Sequence, residues 1–235
     1  MISKLVHHVR RFIYLRTVRQ LAPIAGGIGA NGQDLFVAKM LGNKQSGVFV
    51  DIGANDGVKI SNTLYFEREL GWSGLAVEPL PCIFEKLQSN RRCHVLNACI
   101  SDKEGKSCFL EVVGASNMLS GLASKLDPRH VRRIHKNIRR QGGTVHEIEV
   151  ETTTWEVALS KYLIKCVDFL SLDTEGGELD ILRSIDFVGT PVRVISVENN
   201  YFTHKICRFL ETKGFERCGA FGVDEIYCHR SVAGG

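Results

Sequence analysis

From Gln33 onward the chain alternates short apolar runs with amphipathic stretches. Apolar runs at 47–52, 74–78, 94–100, 108–113, 145–152, 166–172 and 192–198, and a final pair around 215–220 and 225–229, predict strands. Segments 33–42, 61–70, 81–90, 155–161, 177–185 and 203–213 have the character of helices. This alternation predicts an α/β fold with a mostly parallel sheet covered by helices on both faces. The opening, "MISKLVHHVRRFIYLRTVRQL", carries apolar residues at 2, 5, 6, 9, 12 and 13, with Arg10, Arg11, Arg16 and Arg19 mostly off that stripe. It predicts a basic amphipathic helix, and three roles fit it: packing on its own domain or a second subunit, lying on a membrane surface, or acting as a cleavable targeting peptide. The Gly-rich "APIAGGIGANG" at 22–32 predicts a flexible linker, so residues 1–32 form an extension and 33–235 the domain.

Composition changes this picture little and charge changes it more. The 235 residues are 44% hydrophobic and 24% charged, as expected of one globular domain with an extension. No apolar stretch approaches the roughly 20 residues that span a bilayer, and the expected location is cytoplasmic, with peripheral membrane contact through residues 1–20 left open. The eight cysteines occur without a zinc-type spacing or a secretory signal, and Cys99, Cys108 and Cys166 fall in apolar runs, so reduced, buried thiols are expected. The net charge of +4 conceals an asymmetry. Residues 1–20 hold five Lys/Arg and no acid, and "RHVRRIHKNIRR" at 129–140 holds six and no acid; without these the remaining 19 basic residues face 26 acids.

Candidate chemistry begins at "VFVDIGANDGVKIS". An apolar strand ends at Asp51 and breaks into a turn with Gly53, Asn55, Asp56 and Gly57, at the strand end where open α/β sheets hold ligands. The spacing is neither the G-x-G-x-x-G of dinucleotide sites nor a phosphate-binding Walker loop. Asp51 and Asp56 would repel a phosphate and favour a cationic group, such as the sulfonium and ammonium of S-adenosylmethionine. The next strand ends in Glu78, whose carboxylate can accept hydrogen bonds from both ribose hydroxyls. Ser101 and Asp102, after the third strand, lie where an adenine edge would fall. Each of these acids alone also reads as a turn cap or an exposed strand end.

With these residues in place, residues 33–93 together with "VDFLSLDTEGGELDILRSIDF" resemble the FkbM family of S-adenosylmethionine-dependent methyltransferases, from about Gln33 to Phe187. The resemblance implies a Rossmann-like seven-stranded methyltransferase sheet and O-methylation of a hydroxyl, with glycans and polyketides as associated acceptors. It implies that Asp51, Gly53, Asn55 and Gly57 form the cofactor loop and that Glu78 is the ribose carboxylate. Residues 114–143, the termini and the end of the chain depart from it.

A second acidic cluster follows the strand "VDFLSL". Asp173 and Glu175, beside the Gly176–Gly177 pair, reach the same sheet edge as the cofactor loop, and Glu198 ends the next strand. A carboxylate there can take the proton of a hydroxyl as it is methylated, or hold a divalent metal that acidifies it, with Asp173 the candidate ligand. Glu178 and Asp180 fit a helix N-terminus better than catalysis, and His204 is a lesser candidate base. The basic insertion at about 114–143 fits a lid or an arm for an anionic acceptor, or simply an exposed basic helix; with few aromatics to stack bases, nucleic acid is disfavoured. An enzyme is expected, and the competing class is a binding or trafficking protein that keeps the fold.

Overall fold

The computed structural model describes Tyr14 and residues 17–232. The helix expected over residues 1–20 therefore falls largely outside the described residues. Elements in chain order are α1 (Gln33–Met40), β1 (Val48–Ile52), α2 (Leu64–Glu69), β2 (Ser73–Val77), α3 (Pro81–Asn90), β3 (His94–Leu96), β4 (Cys99–Ile100) and β5 (Gly105–Val113). A 3-10 turn (Asn117–Leu119) and β6 (Gly121–Leu122) precede α4 (Pro128–Gln141) and β7 (Thr144–Thr153). The remainder is α5 (Trp155–Lys161), β8 (Val167–Leu172), α6 (Glu178–Ser184), β9 (Val192–Glu198), α7 (Lys205–Thr212), β10 (Phe215–Phe221) and β11 (Asp224–His229).

Seven strands form the main sheet in the order β10-β11-β9-β8-β1-β2-β3. Every pairing is parallel except the two made by β11, which runs against β9 and β10. Side chains alternate across the sheet. Val50, Ile52, Leu75, Leu170 and Ile195 pack against α5, α6 and α7, while Phe49, Phe169 and Val194 pack against α1 and α2 on the other face. Both faces are thus covered, and the carboxyl ends of β1, β2, β8 and β9 meet at one edge.

Four segments fold differently from the sequence pattern, and two thiols differ in exposure. The apolar run at 94–100 is two strands, β3 in the main sheet and β4 in a second sheet ordered β4-β7-β5-β6. The runs at 108–113 and 145–152 are not core strands; β5 and β7 form a long antiparallel pair in that second sheet. Local periodicity does not encode which sheet a strand joins. The helix expected from Ser61 starts at Leu64, because Ser61 Oγ accepts from the amides of Thr63 and Leu64 and so holds a turn there. Finally, residues 22–32 are no free linker: Ile24 N donates to Asn31 O, Ile28 N donates to the buried Asp34, and Leu21 N donates to Ala220 O. Among the thiols, Cys99 is buried but Cys108 and Cys166 are exposed, since both sit at positions facing solvent.

A buried polar network ties the amino-terminal segment to the sheet. Glu225 accepts from the hydroxyls of Tyr14 and Tyr227 and from Asn199 Nδ2 at 2.7 Å, and Arg217 lies 3.6 Å away. Tyr14→Phe removes one donor from a carboxylate that keeps its other partners. The expected loss is about 1–2 kcal/mol, seen as a lower midpoint in denaturant unfolding at unchanged slope. An unchanged midpoint would show that Tyr14 does not anchor the segment.

Candidate active site

The glycine loop follows directly from β1. Gly53 has φ 87°, and a Cβ there would collide with the carbonyl oxygen of Asp173, so the loop can pass against β8 only without a side chain. The Asn55 amide donates to Glu78 Oε2 at 3.1 Å, and the Leu80 amide donates to Glu78 Oε1 at 3.0 Å. Glu78 therefore joins the turn after β1 to the turn after β2. Burial pushes its carboxyl up to about 7, against the two amide bonds that favour the ion and with a further upward push from Asp51.

A cavity opens at this edge. Its lining includes Gly53, Asn55, Glu78, Ser101, Asp102, Asp173 and Glu175. Ser101 Oγ donates to Asp102 at 3.0 Å. Three residues singled out in the loop, Asp51, Asp56 and Gly57, do not line the cavity. Asp56 is turned into the loop itself, where its Oδ1 accepts from the amides of Val58 and Lys59. Asp51 lies on the opposite face of β1 from Ile52, buried, where Thr63 Oγ1 donates to it at 2.6 Å. Gly57 instead packs against Leu87 and Arg91, with Arg91 donating to its carbonyl. Period-two alternation decides the position of Asp51: Ile52 faces the cavity, so Asp51 does not.

The raised Glu78 carboxyl has a consequence for stability. Its ordinary value of 4.5 applies to the unfolded chain and about 7 to the folded one, so the folded state holds the proton more tightly. Its contribution is fully present below pH 4.5 and is lost as pH rises through 7, amounting to roughly 3 kcal/mol. Glu67 and Asp168, whose carboxyls are lowered, act oppositely only at more acidic pH. Ligand-free protein is therefore expected to be less stable at pH 8 than at pH 6. Denaturant unfolding across that range checks this; Glu78→Gln is expected to reduce the dependence without abolishing it, because Glu175, Asp173, Glu198 and Asp224 are raised in the same direction.

The acidic cluster forms at the ends of β8 and β9. Asp173 and Glu198 share a hydrogen bond, and burial together with the neighbouring carboxylates raises both well above the ordinary carboxylate range. Two carboxyl groups in such contact do not both ionise readily, so the pair holds protons more tightly than isolated carboxyls do. Glu175, buried and in a left-handed conformation at φ 59°, is pushed up to about 7, chiefly by burial. Oxygens of Asp173, Glu175 and Glu198 lie within 4.8 Å of one another, a donor set of the kind that suits a hard cation. Glu178 plays a different part, since its Oε1 accepts from Thr174 N, Thr174 Oγ1 and Gly176 N and so fixes the turn that carries Glu175. Asp180 pairs with Lys125 at 2.7 Å across the cavity edge. His204 packs on Tyr14 with ring centroids 4.8 Å apart and the rings tilted by 48°, and it lines neither this cavity nor the second one, which holds Glu198.

Glu198 does not line the first cavity. It lines the second one, with Asn199, Asn200 and Tyr201. The hydrogen-bonded Asp173–Glu198 pair is thus shared between the two. The sequence pattern did not point to Asn200, which donates to Glu175 at 2.9 Å, or to His130, whose Nδ1 stands 3.3 Å from the same carboxylate. The asparagine pair directly after a strand-ending Glu was a usable signal. Nothing local in the basic insertion distinguished His130 from its neighbours. In the structure it is buried, with Nε2 2.8 Å from the Leu119 carbonyl oxygen.

A parallel sheet with one reversed strand near its edge, a glycine turn after β1 and a carboxylate after β2 define a Rossmann-like methyltransferase architecture. Residues 51–217 match the model of the methyltransferase FkbM domain, and the chain belongs to this family of methyltransferases. It is 28% identical over 185 residues to Methyltransferase 1 of Beauveria bassiana (strain ARSEF 2860), covering 71% of each chain. It is also 28% identical over 195 residues to Methyltransferase sdnD of Sordaria araneosa, covering 71% of this chain and 73% of that one. Among solved structures, methyltransferase FkbM from Methylobacillus flagellatus KT aligns with a TM-score of 0.47 at 11% identity, covering 97% of this chain and 60% of that chain.

Proposed function

We propose that the protein transfers a methyl group from S-adenosylmethionine to a hydroxyl oxygen of a small-molecule or glycan acceptor. The observation that carries this reading is the Asp173–Glu198 pair, shared between the Glu78 cavity and the second cavity. The cofactor's chemistry suits the first cavity. Glu78, Asp102, Asp173, Glu175 and Asp180 line it against Lys125, the one basic residue in its lining among the described residues, a wall complementary to a sulfonium and an ammonium. When bound, S-adenosylmethionine supplies an electrophilic methyl group.

The chain's own groups then divide the work. Glu78 would accept hydrogen bonds from the ribose hydroxyls, and Ser101 with Asp102 would meet the adenine edge. Gly53 and Asn55 shape the wall, while Asp51 acts from behind by fixing Thr63 and the start of α2. At the other side, a carboxylate oxygen of the Asp173–Glu198 pair would accept the hydroxyl proton as the O–C bond forms and the C–S bond to the donor breaks, leaving neutral S-adenosylhomocysteine. Glu175, held by Asn200, orients the acceptor from the same edge. The acidic walls leave little room for an anion beside the reacting hydroxyl, so an anionic group on the acceptor would be met outside, by the cations of α4.

The test is transfer from methyl-labelled S-adenosylmethionine to a panel of oligosaccharides and hydroxylated metabolites. Label recovered as a methyl ether is expected; label on nitrogen or carbon would overturn the oxygen assignment. The 4.8 Å grouping of Asp173, Glu175 and Glu198 also supports a second reading, in which a divalent ion acidifies the hydroxyl. Turnover that falls on chelation and returns with added magnesium or manganese would favour that reading over a direct base.

A further inference from the structure

Helix α4 presents two different faces. Ile134 and His130 are buried, and Ile134 packs on Val112 and Leu119 of the second sheet and its 3-10 turn. Asp127 caps the helix by accepting from Arg129 N, Pro128 occupies its first turn, and Gly142 closes it at φ 76°. On the opposite side stand Arg129, Arg132, Arg133, Lys136, Arg139 and Arg140, with no acid anywhere in the helix. At 3.6 residues per turn these six fall within about a third of the circumference. Arg132, Lys136 and Arg140 follow one another at intervals of four, a row about 12 Å long.

Two members of this face are neutralised. Arg129 pairs with Asp127 at 2.7 Å, and Arg133 stands 3.7 Å from Glu175 at the cavity edge. Arg132, Lys136, Arg139 and Arg140 are exposed and make no ion pair among the described residues. Like charges at such spacing repel one another, at a cost that a polyanionic surface would remove. We propose that this face docks on an anionic phospholipid bilayer, with Arg133 setting the cavity edge beside the bilayer surface. A bilayer fits better than a nucleic acid. The helix has no aromatic residue to stack a base, and nearby Tyr201 is already covered by the Arg129 guanidinium, 4.2 Å from its ring centroid. The sequence also supplies a second signal, since residues 1–20 form another acid-free basic stretch containing Leu5, Val9, Phe12 and Ile13. Stable peripheral attachment takes two such signals. No helix among the described residues is long and apolar enough to cross a membrane, so contact through α4 would be peripheral.

Co-sedimentation of the full chain with phosphatidylcholine vesicles containing about a third phosphatidylserine tests this, with pure phosphatidylcholine vesicles as control. Binding only to the anionic vesicles is expected, falling steeply as salt is raised. The triple variant Arg132→Glu, Lys136→Glu, Arg140→Glu should bind about a hundredfold more weakly or worse, since each cation near such a surface matters by about tenfold or less. Its melting temperature and its affinity for S-adenosylmethionine should match wild type, which separates this proposal from the catalytic reading. If the triple variant misfolds, Lys136→Gln with Arg140→Gln gives the same test with a smaller decrease. Wild type that ignores anionic vesicles, variants that bind them as wild type does, or tighter binding to a duplex RNA than to the vesicles would each overturn the proposal.

Discussion

Asp173→Asn is expected to lower turnover by about a hundredfold or more while leaving cofactor affinity and folding close to wild type. Asp173 N donates to Ile52 O, and its carbonyl lies against Gly53, so the turn is held by main-chain contacts that an asparagine retains. The amide can still donate to Glu198, preserving the hydrogen bond within the pair. What is lost is a carboxyl whose affinity for protons has been raised by burial and by Glu175, Asp224 and Glu178. In the proposed reaction this carboxyl is the base, so its loss is expected to affect the chemical step far more than stability. Steady-state kinetics on an identified acceptor would show the decrease in kcat; an unchanged kcat would make Asp173 a structural residue.

Glu78→Ala is expected to weaken binding of S-adenosylmethionine or its demethylated product about tenfold or more, equivalent to roughly 1.5–3 kcal/mol. Two effects combine. The ribose loses a charged acceptor, and the amides of Asn55 and Leu80 lose the group that fixes both turns of the cavity. The sign of the pH effect follows from the raised carboxyl at about 7. Below that pH Glu78 carries a proton and offers one fewer acceptor, so affinity should rise as pH increases through 7 in wild type and rise less in the variant, where Glu175 still titrates near 7 in the same cavity. Calorimetric titration at pH 6 and pH 8 measures both, and equal affinities for wild type and variant would remove Glu78 from the ribose site.

The main sheet and much of the candidate site were legible in the sequence for a physical reason. Strands of a parallel sheet are continuous apolar runs, and the residues that end them, Gly53, Glu78, Asp173 and Glu198, must emerge at one edge. Three features were not legible. The face on which a strand-end residue lies depends on register, so Asp51 read as a cavity residue although it bonds Thr63 on the other side. Sheet membership is a long-range property, so β5 and β7 read as core strands. The partners of Glu175 come from far along the chain, Asn200 after β9 and His130 in α4, and only folding brings them together.

The central claim is that one cavity holds the methyl donor with its ribose on Glu78 and its reacting end toward Asp173. A crystal structure with S-adenosylhomocysteine bound tests it most directly. Ribose hydroxyls are expected within hydrogen-bonding distance of Glu78, the adenine edge near Ser101 and Asp102, and the sulfur facing Asp173. A ligand seated elsewhere, or in this cavity with its ribose away from Glu78, would contradict it.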